Sequence, residues 1–313
     1  MLLPGGTMGS PFAGQSLEAR AIGELFTETL VICAVILAVV TGLVGFCIAR
    51  FRAKDGAAEP AQLDGHARLE IVWTAVPLLI VVALFVLTAR TMGATDPPAD
   101  RAPDLTVIGH QWWWEVRYPS GAVTANEVHV PIGRSVLVEL RSADVIHDFW
   151  VPSLARKIDA NPGRPNHFWI SADRAGVYDG ACAEFCGAQH AWMRIRVVAE
   201  SAADFAAWEQ RQLAPAPAAA GEREARGRAL FKDLTCVRCH GIAGVSPDPR
   251  VAPELTHLAG RSTLAAGVLE NTPANLAAWL QDPQAWKPGS HMPSLKLSDA
   301  QVADLVAYFE TLR

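Results

Sequence analysis

Two short stretches of this 313-residue chain gather side chains that bind transition metals. In Cys182-Ala-Glu-Phe-Cys186-Gly-Ala-Gln-His190-Ala-Trp-Met193, two thiols, an imidazole and a thioether fall within twelve residues. His147 lies upstream in Asp144-Val-Ile-His-Asp148. Thiolate, imidazole and thioether together are the donor set that suits copper in electron transfer. Met193 is the only methionine between Met92 and Met292, which argues against simple core filling. The competing reading is a Cys182–Cys186 disulfide beside a coincidental His and Met.

The second stretch is Cys236-Val-Arg-Cys239-His240, the attachment pattern of a c-type haem. Its thiols add to the haem vinyl groups, and the imidazole that follows is set under the iron. A disulfide or a zinc site would call for more ligands nearby. The sixth iron ligand must come from further along. Met292, in Gly289-Ser-His-Met-Pro293, is the sole methionine after the motif, with His291 as its competitor. A Met/His pair raises the haem potential and closes the iron to substrates.

Elements must hold these groups in place. Residues 96–200 alternate as strands do: Val136, Val138 and Leu140 against Glu139 and Arg141, then Met193, Ile195 and Val197 against Arg194 and Arg196. Turn residues punctuate the runs, so a small sandwich or barrel is expected. Residues 201–221 read as a linker, with Ala/Pro composition from Leu213 to Gly221. Residues 222–313 read as helical. Thr272-Pro273 offers an N-cap and a first-turn proline, Ser298-Asp-Ala-Gln301 a capping box, and Val302, Leu305, Val306 and Phe309 one apolar stripe.

Residues 1–95 have a different character. No charge occurs between Glu28 and Arg50, or between Glu70 and Arg90. Each run is about twenty residues, enough to cross a bilayer as a helix. The competing reading is a pair of buried core helices. Residues 1–20 lack a basic leader region, and Pro4, Gly5 and Gly6 interrupt any apolar run there, so the first helix reads as a retained anchor. Arg50, Arg52, Lys54 and Arg68 face only Arg20 across the first helix, which puts the short loop in the cytoplasm and the rest of the chain outside. Cys33 and Cys47 fall in that helix and read as small buried thiols. The net charge of −5, without any basic run, argues against nucleic acid as a partner class.

The cysteine loop with its upstream histidine resembles the binuclear CuA site of cytochrome c oxidase subunit II. Similarity extends to Val151-Pro-Ser-Leu154, Lys157, Asp159, Pro162-Gly-Arg164 and Gly109-His-Gln-Trp-Trp-Trp114. It also takes in the membrane segment Glu70-Ile-Val-Trp-Thr74 with Pro77. The resemblance implies a multi-domain chain: a transmembrane helical hairpin, an all-β cupredoxin-like CuA domain and an all-α cytochrome c domain. It implies that Cys182 and Cys186 bridge two coppers, that His147 and Met193 complete one, and that His190 and the Glu184 carbonyl complete the other. Glu184 would also hold a magnesium ion shared with the catalytic subunit. Trp112 resembles the aromatic that accepts electrons, and Glu70 the mouth of a proton-uptake path. Trp113 is expected to pack inward, with Trp112 and Trp114 at an interface. The last segment resembles a class-I cytochrome c, in which Cys236 and Cys239 hold haem c, His240 and Met292 ligate iron, and the Pro253 carbonyl orients His240. Its Val245–Pro249 loop departs from a minimal member.

Taken together, the resemblance implies subunit II of a proton-pumping haem-copper terminal oxidase in a bacterial inner membrane, with both metal domains periplasmic. Expected partners are oxidase subunits I and III, a cytochrome c donor and the lipid bilayer. Two alternatives are a CuA/haem c subunit of a nitric oxide reductase and a stand-alone membrane copper or redox sensor. Glu70 and its surrounding motif favour the oxidase, and the short loop leaves no room for a sensor's output segment.

Overall fold

In the computed structural model the described residues are 9–10, 12–52, 56, 62, 65–97, 101–247 and 249–313. Pro4, Gly5, Gly6, Lys54 and Asp248 lie outside them. The chain forms two compact units: residues 20–96, and residues 1–19 with 97–313.

The first unit is built on α1 (Leu17–Arg50) and α2 (Ala67–Thr95). Among the described residues nothing covers the apolar window of either helix, so these are not core helices of a soluble domain. They anchor the protein in a membrane. Cys33 and Cys47 are exposed rather than buried, because no described neighbour packs over them on α1. Hydroxyls in so apolar a helix turn back on the main chain: Thr27 and Thr29 each donate to the carbonyl four residues earlier at 2.8 Å. At the start of α2, the His66 imidazole accepts from Leu69 N at 3.4 Å. The Glu70 carboxylate in turn accepts from His66 N at 3.0 Å, which gives Glu70 a capping role.

The second unit begins with a sandwich of two five-stranded sheets. One holds β1 (Leu105–His110), β2 (Trp113–Arg117), β3 (Val123–Ala125), β5 (Val136–Ser142) and β8 (Asn166–Ile170). The other holds β4 (Glu127–Pro131), β6 (His147–Trp150), β7 (Ile158–Ala160), β9 (Gly176–Cys182) and β10 (Arg194–Glu200). β1 runs parallel to β5 and β10 parallel to β4, and the remaining pairs are antiparallel. Val107, Trp114, Val138, Leu140 and Phe168 of one sheet meet Val128, Phe149, Ile195 and Val197 of the other in a shared core. The fold is cupredoxin-like. The segment before α1 is tied to this sandwich, with Gln15 N donating to Ser153 O at 2.8 Å and Ser16 Oγ to Leu154 O at 2.7 Å.

Residues 201–221 are a linker over only part of their length. Ala202–Gln212 form α3, capped by the Ser201 hydroxyl accepting from Asp204 N. Trp208 of α3 is buried, stacked on His129 at 4.0 Å and edge-on to Tyr118 at 5.1 Å. Truncating a buried Trp costs about 3–5 kcal/mol, more than composition-level linker preference can offset. The remaining Ala/Pro stretch is also engaged: Ala214 O lies 3.1 Å from His257 Nε2, and Ala216 N donates to Ala243 O at 3.3 Å.

A second core follows. α4 (Glu222–Asp233) crosses α7 (Asp299–Phe309) where Gly227 has no Cβ to meet the Asp304 carbonyl. The hairpin β11 (Thr263–Leu264) and β12 (Leu269–Glu270), α5 (Pro273–Gln281) and the single-turn α6 (Pro283–Trp286) complete it. Thr272 caps α5, Ser298 and Gln301 form a full capping box, and Val302, Leu305, Val306 and Phe309 are buried. This is the expected helical cytochrome c fold.

Candidate metal centres

The strand ends of the sandwich bring the first ligand set together. His147 opens β6, Cys182 closes β9, and the intervening loop returns through a short 3-10 turn to Met193 just before β10. Cys182 N donates to Met193 O at 2.9 Å, which pins both ends of the loop side by side. The two sulfurs stand 3.8 Å apart. His147 Nδ1 lies 4.0 Å from Cys182 Sγ, and the Glu184 carbonyl is 3.3 Å from the same sulfur. His190 Nδ1 and Met193 Sδ lie 3.7 and 3.8 Å from Cys186 Sγ. His147 with Met193, and His190 with the Glu184 carbonyl, thus each pair one donor beside each sulfur. Two ions bridged by both thiolates would find a terminal pair apiece, so the donor set fits a binuclear copper centre.

Charge and hydrogen bonding prepare these groups. The His147 Nε2 donates to Asp144 Oδ1 at 2.8 Å, which leaves the Nδ1 lone pair for a metal. Burial works against ionisation of Asp144, but hydrogen bonds from His147, Val145 and Gln111 outweigh it and hold its carboxyl below the usual range. The neighbouring Cys186, opposed by burial and helped by His147, pushes the Cys182 thiol down to about 3. Cys186 is pushed up by that same neighbour and by burial. One thiolate forms readily, and the second waits for the positive charge that a metal brings. Gly109 supplies space: a Cβ there would stand 2.7 Å from His147 Cδ2. Glu184 and Phe185 are exposed at the loop tip, Phe185 at 76%.

The second ligand set surrounds a cavity of about 490 Å³. A 3-10 turn over Thr235–Arg238 presents Cys236 and Cys239 to it, and His240 N donates back to Cys236 O at 2.9 Å. His240 Nδ1 lies 2.7 Å from the Pro253 carbonyl and donates to it, a bond that would orient the ring to offer Nε2 to a metal. Met292 lines the same cavity. Arg261 reaches it too, buried and with no partner for its Nε, as an acidic substituent of a haem would require. The volume, thiols, imidazole, thioether and buried cation together fit a covalently bound haem. Of the other histidines in this segment, His257 has both ring nitrogens against carbonyls, of Arg313 at 2.8 Å and Ala214 at 3.1 Å. His291 lines the cavity beside Met292, its ring 4.9 Å from that of Trp112.

Met292→Ala is therefore expected to leave the haem attached through Cys236 and Cys239 while opening the sixth position of its iron. Carbon monoxide should bind the reduced variant and shift its absorption spectrum. A variant that stays six-coordinate at an unchanged potential would transfer the ligand role to His291.

The three tryptophans divide differently from the expected pattern. Trp114 is the core residue, fully buried and edge-on to both His147 and Phe149. Trp113 stacks on His110 at 4.3 Å and packs against Ala266 of the helical segment. Trp112 precedes β2, so it escapes the alternation that governs the other two. Its ring lines the cavity, and its Nε1 donates to the Cys186 carbonyl at 2.9 Å. Gln111 Nε2 donates to the same carbonyl at 2.8 Å. Glu70, by contrast, belongs to the other compact unit. The roles of Asp144, Gln111 and Arg261 do not emerge from sequence reasoning, although Asp144 stands three residues before His147, within reach of its ring.

Residues 12–89 match the family model for the cytochrome c oxidase subunit II transmembrane domain, and residues 122–201 match that for its periplasmic domain. Residues 224–313 match the cytochrome c model. A cytochrome c oxidase subunit 2 of Alkalihalophilus pseudofirmus is 35% identical over 308 residues, covering 95% of this chain and 88% of the relative. That of Bacillus subtilis is 32% identical over 331 residues, covering 97% and 93%. Among solved structures, the periplasmic domain of subunit II of cytochrome oxidase from Bradyrhizobium japonicum is 33% identical. It covers 38% of this chain and 99% of that one, with a TM-score of 0.35.

Proposed function

The chain belongs to the cytochrome c oxidase subunit II family, and on that premise we propose the route by which it carries electrons. A cytochrome c donates at the haem segment, Trp112 links that segment to the thiolate loop, and the catalytic subunit receives the electrons. There oxygen is reduced to water and protons are pumped. The membrane is the bacterial inner membrane, the metal-bearing domains are periplasmic, and subunits I and III are the partners.

When bound, the copper pair and the haem each supply a one-electron couple. Cys182, Cys186, His147, His190, Met193 and the Glu184 carbonyl would hold the copper. Cys236, Cys239, His240 and Met292 would hold the haem, with Arg261 facing its acidic edge. The Glu184 carboxylate, exposed beside the copper loop, would lend an oxygen ligand to a magnesium ion shared with subunit I. Glu70, at the first turn of α2, would stand at the mouth of a proton-uptake path in that subunit.

One observation carries the route: Trp112 lines the haem cavity, and its indole N–H donates to the Cys186 carbonyl. Its ring is half-buried, 4.9 Å from that of His291, which leaves less of it to an external donor. Rapid mixing of the intact, loaded chain with a reduced cytochrome c tests the order. Haem absorption should change before the copper band, and copper reduced first would overturn the route.

A further inference from the structure

The haem segment and the copper sandwich meet along a seam, and one lysine stands in its middle. Lys287 follows α6 and is only 4% exposed. Its ammonium group donates three hydrogen bonds: to Trp112 O at 3.4 Å, Trp192 O at 3.3 Å and Ala265 O at 3.3 Å. Two of these carbonyls belong to the sandwich and one to the haem segment, so one side chain joins three separate loops of backbone. The carbonyls are also well chosen. Trp112 is the residue between the two ligand sets, and Trp192 adjoins the copper-side Met193.

The residues after Lys287 lead straight to the iron ligand. Pro288 O accepts a hydrogen bond from the buried Gln189 of the copper loop. Next come Gly289 and Ser290, then His291 over the Trp112 ring, then Met292 in the haem cavity. The loop that presents the methionine is thus the same loop that grips the copper face. Further out, Glu127 accepts from Ser262 N at 2.8 Å, and Arg194 N donates to Ala266 O at 3.2 Å.

A buried ammonium is a costly way to gain affinity. Burial lowers its pKa to about 8, while its three carbonyl partners accept from the charged form. A buried charge is weak evidence of net stabilisation, so the placement of this one is the more informative feature. Three short-range donors on three fixed carbonyls define one position of the helical segment, where apolar contact would allow sliding.

Building on the route from haem to copper through Trp112, we propose that Lys287 is a positioning residue. It locks the Met292 loop onto the copper face, so that iron ligation and alignment with Trp112 are kept or lost together.

The test uses the full chain in detergent with both centres loaded, comparing Lys287→Met, which keeps length but has no donor, with Lys287→Arg, which restores donors. Lys287→Met should keep wild-type copper and haem content. Its transfer between the centres should slow by about tenfold or more, the scale on which small misplacements act. The methionine–iron charge-transfer band should weaken, and protease cleavage within residues 213–221 should rise. Lys287→Arg should recover the band and part of the rate. A Lys287→Met chain with wild-type transfer, band and cleavage would overturn the proposal. Loss of either metal centre would overturn it as well, since Lys287 would then support a centre rather than their alignment. If the wild-type chain reduces copper first, the route fails, while band and cleavage still decide the role of Lys287.

Discussion

Cys186→Ser is expected to abolish the mixed-valence copper signal while the haem remains covalently attached. Cys186 is central to the donor geometry, with Cys182, His190 and Met193 all within 3.8 Å of its sulfur. Serine keeps the shape of the side chain but offers a hard, protonated oxygen where soft thiolate is needed. The remaining sulfur cannot bridge two ions with a terminal pair on each, so loss should be of the pair and not of one ion from it. Electron paramagnetic resonance reads this directly, and metal analysis should show less than half of the wild-type copper. Haem attachment should survive, because Cys236, Cys239 and His240 are held by the second core. The copper domain should also melt earlier than wild type, since metal binding to prefolded ligands contributes to folding free energy. A variant that kept the mixed-valence spectrum would remove Cys186 from the site.

Much of each candidate ligand set is legible in the amino-acid sequence because most of its residues are local. The cysteine loop packs most of its donors into one turn between two strands, and the haem motif into a single turn. In both, chain connectivity already enforces proximity. Helix ends are legible for the same reason: Thr272, Ser298 and Gln301 act within four residues of themselves. What stays hidden depends on contacts between distant segments. Trp113 and Trp114 look alike in sequence. Only the start of β2 at Trp113 decides that Trp114 faces the core and Trp113 the seam. The helix at 202–212 hides behind alanines until His129 and Tyr118, more than seventy residues away, give Trp208 somewhere to bury. Lys287 reads as one more surface lysine until Trp112 and Trp192 are brought to it.

The seam also changes how the fusion is to be understood. A flexible tether would raise the local concentration of one domain beside the other and leave their orientation free. Here the stretch after Gln212 is hydrogen-bonded to the helical segment, and Glu127, Gln189 and Arg194 are bonded across the boundary. Fusion in this chain secures an orientation. Docking by charge pairs at an exposed rim would be screened by salt, whereas these contacts are short and partly buried. Transfer between the centres should accordingly depend little on ionic strength, unlike reduction by an external cytochrome c.

Trp112→Leu is expected to slow transfer from haem to copper by about tenfold or more, because it removes both the ring on the cavity wall and the bond to the copper loop. Copper binding should persist: Gln111 Nε2 still donates to the Cys186 carbonyl at 2.8 Å. Docking should persist too, because Lys287 holds the main-chain carbonyl of residue 112, which the substitution leaves in place. Gly187 adds a second handle on the same contact. It has a positive φ of 116°, and a Cβ there would press to 3.0 Å from Trp112 Cζ2, so the backbone has been kept bare where the indole lies. Trp112→Phe separates the two contributions, since it keeps a ring at the cavity but cannot donate to Cys186. If the N–H bond is the conducting contact, Phe should be nearly as slow as Leu. If the ring face against His291 is what matters, Phe should run close to wild type. In either case the copper spectrum, haem spectrum and linker cleavage should match wild type, which distinguishes a break in the route from a loss of docking. Flash-initiated reduction of the haem in the loaded chain, followed by the rise of the copper band, gives the rate. Wild-type transfer in Trp112→Leu would mean that electrons cross the seam elsewhere, for instance where the Met292 loop meets Gln189.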